Sequence, residues 1–365
     1  MRAHDATGHK RLLTVVLLLL FGPLLGGCDM IVMKPFGDIA SQQADLILIS
    51  TILMLLIIVP VMALTVFFAW KYRESNKDAD YAPDWDHSAR LEVVIWSAPL
   101  AIIIALGTIT WISTHKLDPY RPLERIDAQR PIPAGTKPLV VEVVALDWKW
   151  LFIYPELGVA TINELAAPVD VPISFKITSS SVMNSFYIPA LAGQVYAMTG
   201  MQTKLHAIIN REGDYEGFSA NYSGHGFSRM RFTFKALSQE KFDAWISKAK
   251  TEGGTLGRNE YLQIERPSER DPVKYYGKTD AKLFDAIINL CVDPSKMCMH
   301  EMMHIDVKGG GGLDSHENRE RLEYDNRRSL PVLPVVQGAD ANAICTAPDN
   351  RSAEIMSRPA ANLLE

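Results

Sequence analysis

The 365-residue sequence has only four cysteines, and none of them lies between residues 114 and 290. Copper centres that transfer electrons need cysteine thiolate, because soft ligands accommodate both oxidation states of the metal. A blue-copper or dinuclear copper site is therefore excluded from this central region. Positive charge is not in excess either, with 37 Lys and Arg against 42 Asp and Glu. The composition gives no support to a nucleic-acid partner, which would need a basic surface.

Charged residues are also missing from two long apolar runs, 46–70 and 93–113. At ~1.5 Å of rise per residue, each run is long enough as a helix to cross the roughly 30 Å hydrocarbon core of a bilayer. Each run contains one proline, which neighbouring helices in a membrane can accommodate. We therefore predict a two-helix transmembrane hairpin over residues 28–113.

A shorter apolar run at the N-terminus follows Arg2, Lys10 and Arg11 and ends in small residues before Cys28. This pattern is typical of a secretory signal peptide. Its last residues, Leu-Gly-Gly-Cys, resemble the lipobox of bacterial lipoproteins, in which the cysteine is diacylated. The resemblance implies a lipoprotein signal peptide over residues 1–27, lipidation of Cys28 and retention in the bacterial inner membrane. An ordinary signal peptide with an unmodified cysteine is the alternative.

The lipobox also implies an orientation for the chain. Because lipidation takes place on the outer face of the membrane, the loop 71–91 would be cytoplasmic. Everything after residue 113 would then lie in the periplasm. The number of Lys and Arg residues is similar on the two sides, so the positive-inside rule does not decide the matter.

From about residue 137 the sequence alternates between apolar and polar positions. Such stretches lie at 141–145, 173–178, 203–209 and 230–237, and prolines and glycines separate them. Short alternating strands with frequent turn signals are typical of a β-sandwich. We therefore predict an all-β sandwich over residues 114–237.

Helical periodicity follows the sandwich, and a helix is predicted over 238–250 with a second, shorter one near 280–292. The apolar residues of the first helix fall on one face: Phe242, Trp245, Ile246 and Ala249. We predict a helical extension over 238–304. Four consecutive glycines, many charges and no periodicity then predict a disordered tail over 305–365.

Four segments of the chain, in this order, resemble subunit II of the haem–copper terminal oxidases. They are 91–96 (LEVVIW), 147–150 (DWKW), 181–186 (SVMNSF) and 222–230 (YSGHGFSRM). The likeness runs from about residue 28 to about residue 290 and is closest to the second subunits of cytochrome bo-type ubiquinol oxidases. It implies a cupredoxin-like sandwich on a membrane hairpin, within a proton-pumping complex that oxidises ubiquinol and reduces oxygen to water.

The resemblance also implies that haems, copper and the quinol belong to a haem-bearing subunit I, accompanied by smaller membrane subunits. In cytochrome c oxidases, copper histidines stand where this chain has Asn184 and Phe227. Met230 is retained, and a single thioether cannot hold copper. This chain is therefore expected to have no cofactor, metal or catalytic residue of its own. The missing thiolates oppose the alternative of a cytochrome c oxidase subunit II.

Glu92 opens the second apolar run, at its cytoplasmic end. A carboxylate next to the hydrocarbon region is costly and is often functional. Second subunits of the family resemble this chain in carrying a glutamate here, near a proton path of the large subunit. Glu92 is therefore a candidate for proton uptake. The alternative is a carboxylate that only stabilises the helix N-terminus through the helix dipole.

Other conspicuous side chains favour structural interpretations. Alternation places Trp148, Trp150 and Phe152 on one strand face, which indicates core packing. Three scattered histidines, His115, His206 and His225, fit no zinc-binding spacing.

The segment 297–304 is rich in Met and His and is the basis of another alternative, a membrane-tethered copper chaperone. A purely structural lipoprotein is a third class. Cys291 and Cys298 can form a disulfide in an oxidising compartment, but the sequence does not decide the connectivity.

Overall fold

The computed structural model describes residues 30–80, 82 and 84–307. The predicted signal peptide, Cys28 and nearly all of the predicted tail lie outside the described residues. The chain divides into two compact units, and all described residues belong to the first of them, 1–322.

Two long helices confirm the predicted hairpin: α1 (Asp38–Lys71) and α2 (Ala89–Lys116). Both are long and apolar enough to cross a membrane. Only the first turns of α1 are buried by the rest of the chain, and no residue of α2 is. Helices that are apolar on all sides are stable only against lipid or against other membrane proteins.

A β-sandwich follows the hairpin, as the sequence predicts. Its strands are β1 (Leu139–Leu146), β2 (Lys149–Tyr154), β3 (Val159–Ile162), β4 (Glu164–Pro168), β5 (Ile173–Ser179), β6 (Asn184–Tyr187), β7 (Val195–Ala197), β8 (Thr203–Ala207), β9 (Gly213–Ser219), β10 (Arg231–Leu237), β11 (Gly254–Leu256) and β12 (Lys274–Thr279). The larger sheet has the order β11-β12-β3-β2-β1-β5-β8, and the smaller one β4-β10-β9-β6-β7.

Aromatic side chains fill the space between the two sheets. The Phe186 and Phe232 rings stack with centroids 5.5 Å apart, and the Trp150 ring meets both of them edge-on. All three side chains are buried, and aromatic pairs in this arrangement contribute beyond the area that they bury. The inner face of the sandwich is therefore a dry, closely packed core.

The predicted alternation of β1 describes only one of its faces. Val141 and Val143 face the core between the sheets, but Val144 and Leu146 on the opposite face are also buried. The C-terminal extension has the helices α3 (Gln239–Glu252), α4 (Arg258–Ile264), α5 (Leu283–Ile288) and α6 (Met299–Val307). The apolar residues of α3 join the first core, and residues of α4 and α5 cover the second face. The sandwich therefore has a third layer, and its central strands are buried on both sides.

The extension also contributes β11 and β12 to the larger sheet, which the sequence did not predict. Its first helix agrees with the prediction. Ser238 accepts a hydrogen bond from the backbone N–H of Lys241 at the N-terminus of α3, and the four predicted apolar residues of this helix are all buried. The short helix expected near 280–292 is α5, and a disulfide joins Cys291 to Cys298 just after it.

The hairpin is attached to the sandwich through the start of α1. The backbone N–H groups of Phe36 and Gly37 donate to the carbonyl of Ala190, and Asn210 N–H donates to the carbonyl of Phe36. The buried carboxylate of Asp38 accepts a hydrogen bond of 3.0 Å from Arg125, which lies beyond the end of α2. Both ends of the hairpin are therefore tied to the same part of the sandwich.

Candidate functional site

Asn184 and Phe227, the two positions that the family resemblance matches to copper ligands, lie at the start of β6 and in the loop between β9 and β10. Asn184 begins β6 and is buried. Its side-chain N–H donates to the carbonyl of Val182 at 3.1 Å, and its side-chain oxygen accepts a hydrogen bond of 3.1 Å from the hydroxyl of Ser219. The polar atoms of the amide are thus engaged in holding the loop in place.

Ser219, at the end of β9, also contacts Met230, the third position that the resemblance singles out. Its backbone N–H donates to the carbonyl of Met230 at 3.2 Å. No sequence pattern points to Ser219, because a lone serine at a strand end carries no signal until the strands are paired. The side chain of Met230 is buried, so its thioether belongs to the core.

Phe227 lies in a single 3₁₀ turn, Phe227–Arg229, between β9 and β10. Its ring packs edge-on against Tyr222, with centroids 5.6 Å apart. The side chain at position 227 therefore makes an aromatic contact within its own loop. Among the described residues there is also no group of three or more His, Cys, Asp or Glu side chains arranged to hold a metal ion.

The structure corrects the prediction for Trp148. Trp148 is not on a strand face with Trp150 and Phe152 but in the turn before β2, with a left-handed backbone (φ 67°). The register pairs Leu146 with Lys149, so the hairpin loop consists of Asp147 and Trp148, and Trp148 is the one with a positive φ.

The Trp148 indole instead covers the loop after β9. Its N–H donates to the carbonyl of Ser223 at 3.1 Å. A Cβ atom at Gly226 would lie 2.5 Å from the indole ring, so only glycine permits this packing. Trp148 therefore holds the loop between β9 and β10 in place.

Lys149, the next residue, is buried under the C-terminal extension. Burial lowers the pKa of its amino group, and the nearby carboxylates of Asp271 and Asp147 partly oppose this shift. The ammonium donates to the carbonyl of Arg266 at 2.8 Å and also to the hydroxyl of Ser268. Its contacts are thus structural, and they join the larger sheet to the extension.

The three histidines of the sandwich region are scattered, as the sequence analysis expected. His115 is near the end of α2, where a ring nitrogen lies 2.8 Å from the carbonyl of Trp111. His206 is half-buried in β8, and burial lowers its pKa. The side chain of His225 is 88% exposed and lies 3.4 Å from Glu269.

Glu92 lies in the first turn of α2. Its side chain is 48% exposed, and one carboxylate oxygen is 2.5 Å from the Nδ1 atom of His87. At ~1.5 Å per residue, Glu92 is about 36 Å along the helix from the end that meets the sandwich. The carboxylate is therefore at the opposite end of the membrane-spanning helix from the sandwich.

Comparisons with known proteins agree with this architecture. The family model described as cytochrome c oxidase subunit II, periplasmic domain, matches residues 156–237. The model described as the COX aromatic rich motif matches 250–295, the part of the extension that covers the larger sheet.

Curated relatives match over most of the chain. The cytochrome bo(3) ubiquinol oxidase subunit 2 of Pseudomonas putida is 50% identical over 266 residues, 73% of this chain and 82% of the relative. The ubiquinol oxidase subunit 2 of Acetobacter aceti is 49% identical over 265 residues, 73% of this chain and 84% of the relative.

Among solved structures, the chain is similar to the periplasmic domain of cytochrome oxidase subunit II of Bradyrhizobium japonicum. The match covers 31% of this chain and 94% of that domain, at 20% identity with a TM-score of 0.30. Because these curated second subunits are about half identical to the chain over 73% of its length, the chain belongs to the ubiquinol oxidase subunit 2 family.

Proposed function

We propose that this chain is the non-redox second subunit of a proton-pumping ubiquinol oxidase in an aerobic respiratory chain. One observation supports the proposal: the side chains at 184 and 227, which the resemblance matches to copper ligands, make hydrogen-bonding and packing contacts within the fold. Asn184 is bonded to Ser219, and Phe227 is packed on Tyr222. The sequence also has no cysteine between residues 114 and 290, and a copper centre that accepts electrons from a soluble donor needs thiolate ligands.

Electrons then enter the complex elsewhere. Ubiquinol is oxidised at the haem-bearing subunit I, which holds the haems and the copper at which oxygen is reduced. The present chain contributes the fixed periplasmic domain and the hairpin that carries it. The exposed apolar side chains of α1 and α2 support contacts with subunit I, with smaller membrane subunits and with lipid.

A lipid anchor at Cys28 is part of the proposal. Met30, Ile31 and Met33, just after this position, are exposed apolar residues near the start of α1, as expected of a segment close to the membrane surface. Intact-mass analysis of the purified chain is expected to show cleavage before Cys28 and the mass of a diacylglyceryl group. A mature chain that retains an unmodified cysteine would exclude the anchor.

Glu92 is proposed to take part in proton uptake from the cytoplasm. Its carboxylate is exposed at the start of α2, 2.5 Å from the Nδ1 atom of His87, and this pair of proton-carrying groups at the mouth of the helix supports the role. Glu92→Gln is expected to slow quinol-driven oxygen consumption severalfold while haem content stays normal. The matched control is Glu74→Gln, an exposed carboxylate in the loop that precedes α2. Equal rates in both variants and the wild type would reject the role.

The function itself is tested on the complex isolated through an affinity tag on this chain. Oxygen consumption is measured with a short-chain ubiquinol and, separately, with reduced cytochrome c. We expect a haem-containing complex that turns over with the quinol alone. Consumption driven by cytochrome c would instead show an electron route through the sandwich, and a chain recovered without haem would show that it is not an oxidase subunit.

A further inference from the structure

The Met- and His-rich segment is an ordered part of the domain. Residues from Met299 onward form α6, whose side chain Met302 is completely buried. The backbone N–H of Met299 donates to the carbonyl of Asn289 at 2.9 Å. The disulfide between Cys291 and Cys298 closes the loop immediately before the helix. The orientation of α6 on the domain is therefore set by a buried side chain and a covalent link.

The two histidines of α6 are four residues apart. His300 and His304 are exposed, while Met302 between them faces the domain. Side chains at this spacing are neighbours on one helix face, with about 5–6 Å between their Cβ atoms. Neither imidazole has a hydrogen bond or ion pair within the described part of the chain.

We propose that His300 and His304 form a chelating surface site for a divalent first-row transition metal ion, with copper(II) bound most tightly. Two imidazoles one helical turn apart can bind the same ion, as in the two-histidine helical motif of zinc proteases. Affinity for nitrogen ligands rises along the divalent series to copper(II). Met303, exposed and three residues after His300, lies next to this pair and offers a thioether.

The site is independent of quinol oxidation. It lies in the C-terminal extension, and it uses residues that the proposed function leaves without a role. Because α6 is already ordered on the domain, binding the ion does not require a segment of the chain to become ordered. Both imidazoles can therefore bind the same ion. Binding through one imidazole brings the second within reach, which strengthens binding by about 100-fold or more over a single histidine.

The test is a titration of the purified complex with copper(II) alone. The complex carries a tag without histidines and is first treated with a chelator, and copper bound beyond the resident content is followed by calorimetry and electron paramagnetic resonance. We expect one additional copper(II) per complex with a spectrum of nitrogen ligation. His300→Ala and His304→Ala should each weaken binding about 100-fold.

Two controls make the spacing decisive. His225→Ala removes an exposed histidine elsewhere and should leave the affinity unchanged. The double variant His304→Ala/Ile305→His keeps the number of histidines but places them five residues apart, on different sides of the helix, and should bind as weakly as His304→Ala. Wild-type affinity in the double variant, or no additional copper in the wild type, would overturn the proposal. Quinol oxidase activity reports that each variant is intact.

Discussion

Glu164 is the buried carboxylate that links the extension to the sandwich. It begins β4 and accepts hydrogen bonds from Trp245 at 2.7 Å and Tyr275 at 2.6 Å, and Lys235 lies 3.1 Å away. Burial alone would raise its pKa, but the donors Tyr275, Trp245 and Lys235 outweigh burial, so the pKa lies below its ordinary value. The ionised form is therefore the one that the fold stabilises.

Replacing Tyr275 with phenylalanine removes one of these donors and leaves the ring. Because hydrogen bonds to charged groups contribute about 1.5–3 kcal/mol, Tyr275→Phe is expected to lower the free energy of unfolding by that amount. Thermal unfolding of the purified chain in detergent measures the change. The control is Tyr187→Phe, since the hydroxyl of Tyr187 makes no hydrogen bond among the described residues. Equal destabilisation by both variants would contradict the assigned role.

The lowered pKa of Glu164 also predicts a dependence on pH. Stabilisation by a carboxylate whose pKa is lower in the folded state is complete above its unfolded value, about 4.3, and is lost as pH falls through the folded value. Stability of the wild type should therefore decrease below that pH more steeply than stability of Glu164→Gln. Parallel acid profiles for the two proteins would show that Glu164 does not titrate with unfolding.

At the level of elements, periodicity predicted the inner faces of the strands better than their outer faces. The alternating pattern of β1 was recognised, but both faces of its central residues are buried because the extension adds a third layer. The short strands β11 and β12 were not predicted, since three and six residues with glycines carry little periodicity. Their pairing depends on a partner strand that is distant in sequence.

The disulfide is expected to stabilise the end of the extension. Closing the loop between Cys291 and Cys298, seven residues apart, corresponds to about 2–3 kcal/mol of chain entropy in the unfolded state. Reductant should therefore lower the unfolding midpoint of the wild type and increase hydrogen exchange in α6. Cys291→Ser/Cys298→Ser should begin at the lower midpoint and show no response to reductant. A response in this variant would assign the effect to another cysteine.

At the level of the whole molecule, the hairpin and the sandwich meet where Gly37 approaches two backbone carbonyls. A Cβ atom there would lie 2.5 Å from the oxygen of Ile208 and 2.6 Å from that of Leu191. Gly37 has an ordinary extended backbone, so the requirement for glycine comes from space alone. The junction is therefore sensitive to one added methyl group.

Gly37→Ala is expected to destabilise the junction by about 1–3 kcal/mol, as overpacking does elsewhere. Limited proteolysis between the hairpin and the sandwich should become faster, and less assembled complex should be recovered. The control is Gly107→Ala in α2, where an added Cβ meets no atom of the chain within 4 Å. Unchanged proteolysis of Gly37→Ala would show that the junction can relax.

The sequence by itself determined the two apolar helices, the sandwich, the helix after it and the lack of thiolates in the central region. These depend on run length, periodicity and residue type, which are local. Only the tertiary structure decided that Ser219 joins Asn184 to Met230, that Trp148 turns out of its strand and that α6 is docked with its two histidines outward. Each of these depends on contacts between segments far apart in the chain, and local patterns carry no information about such contacts.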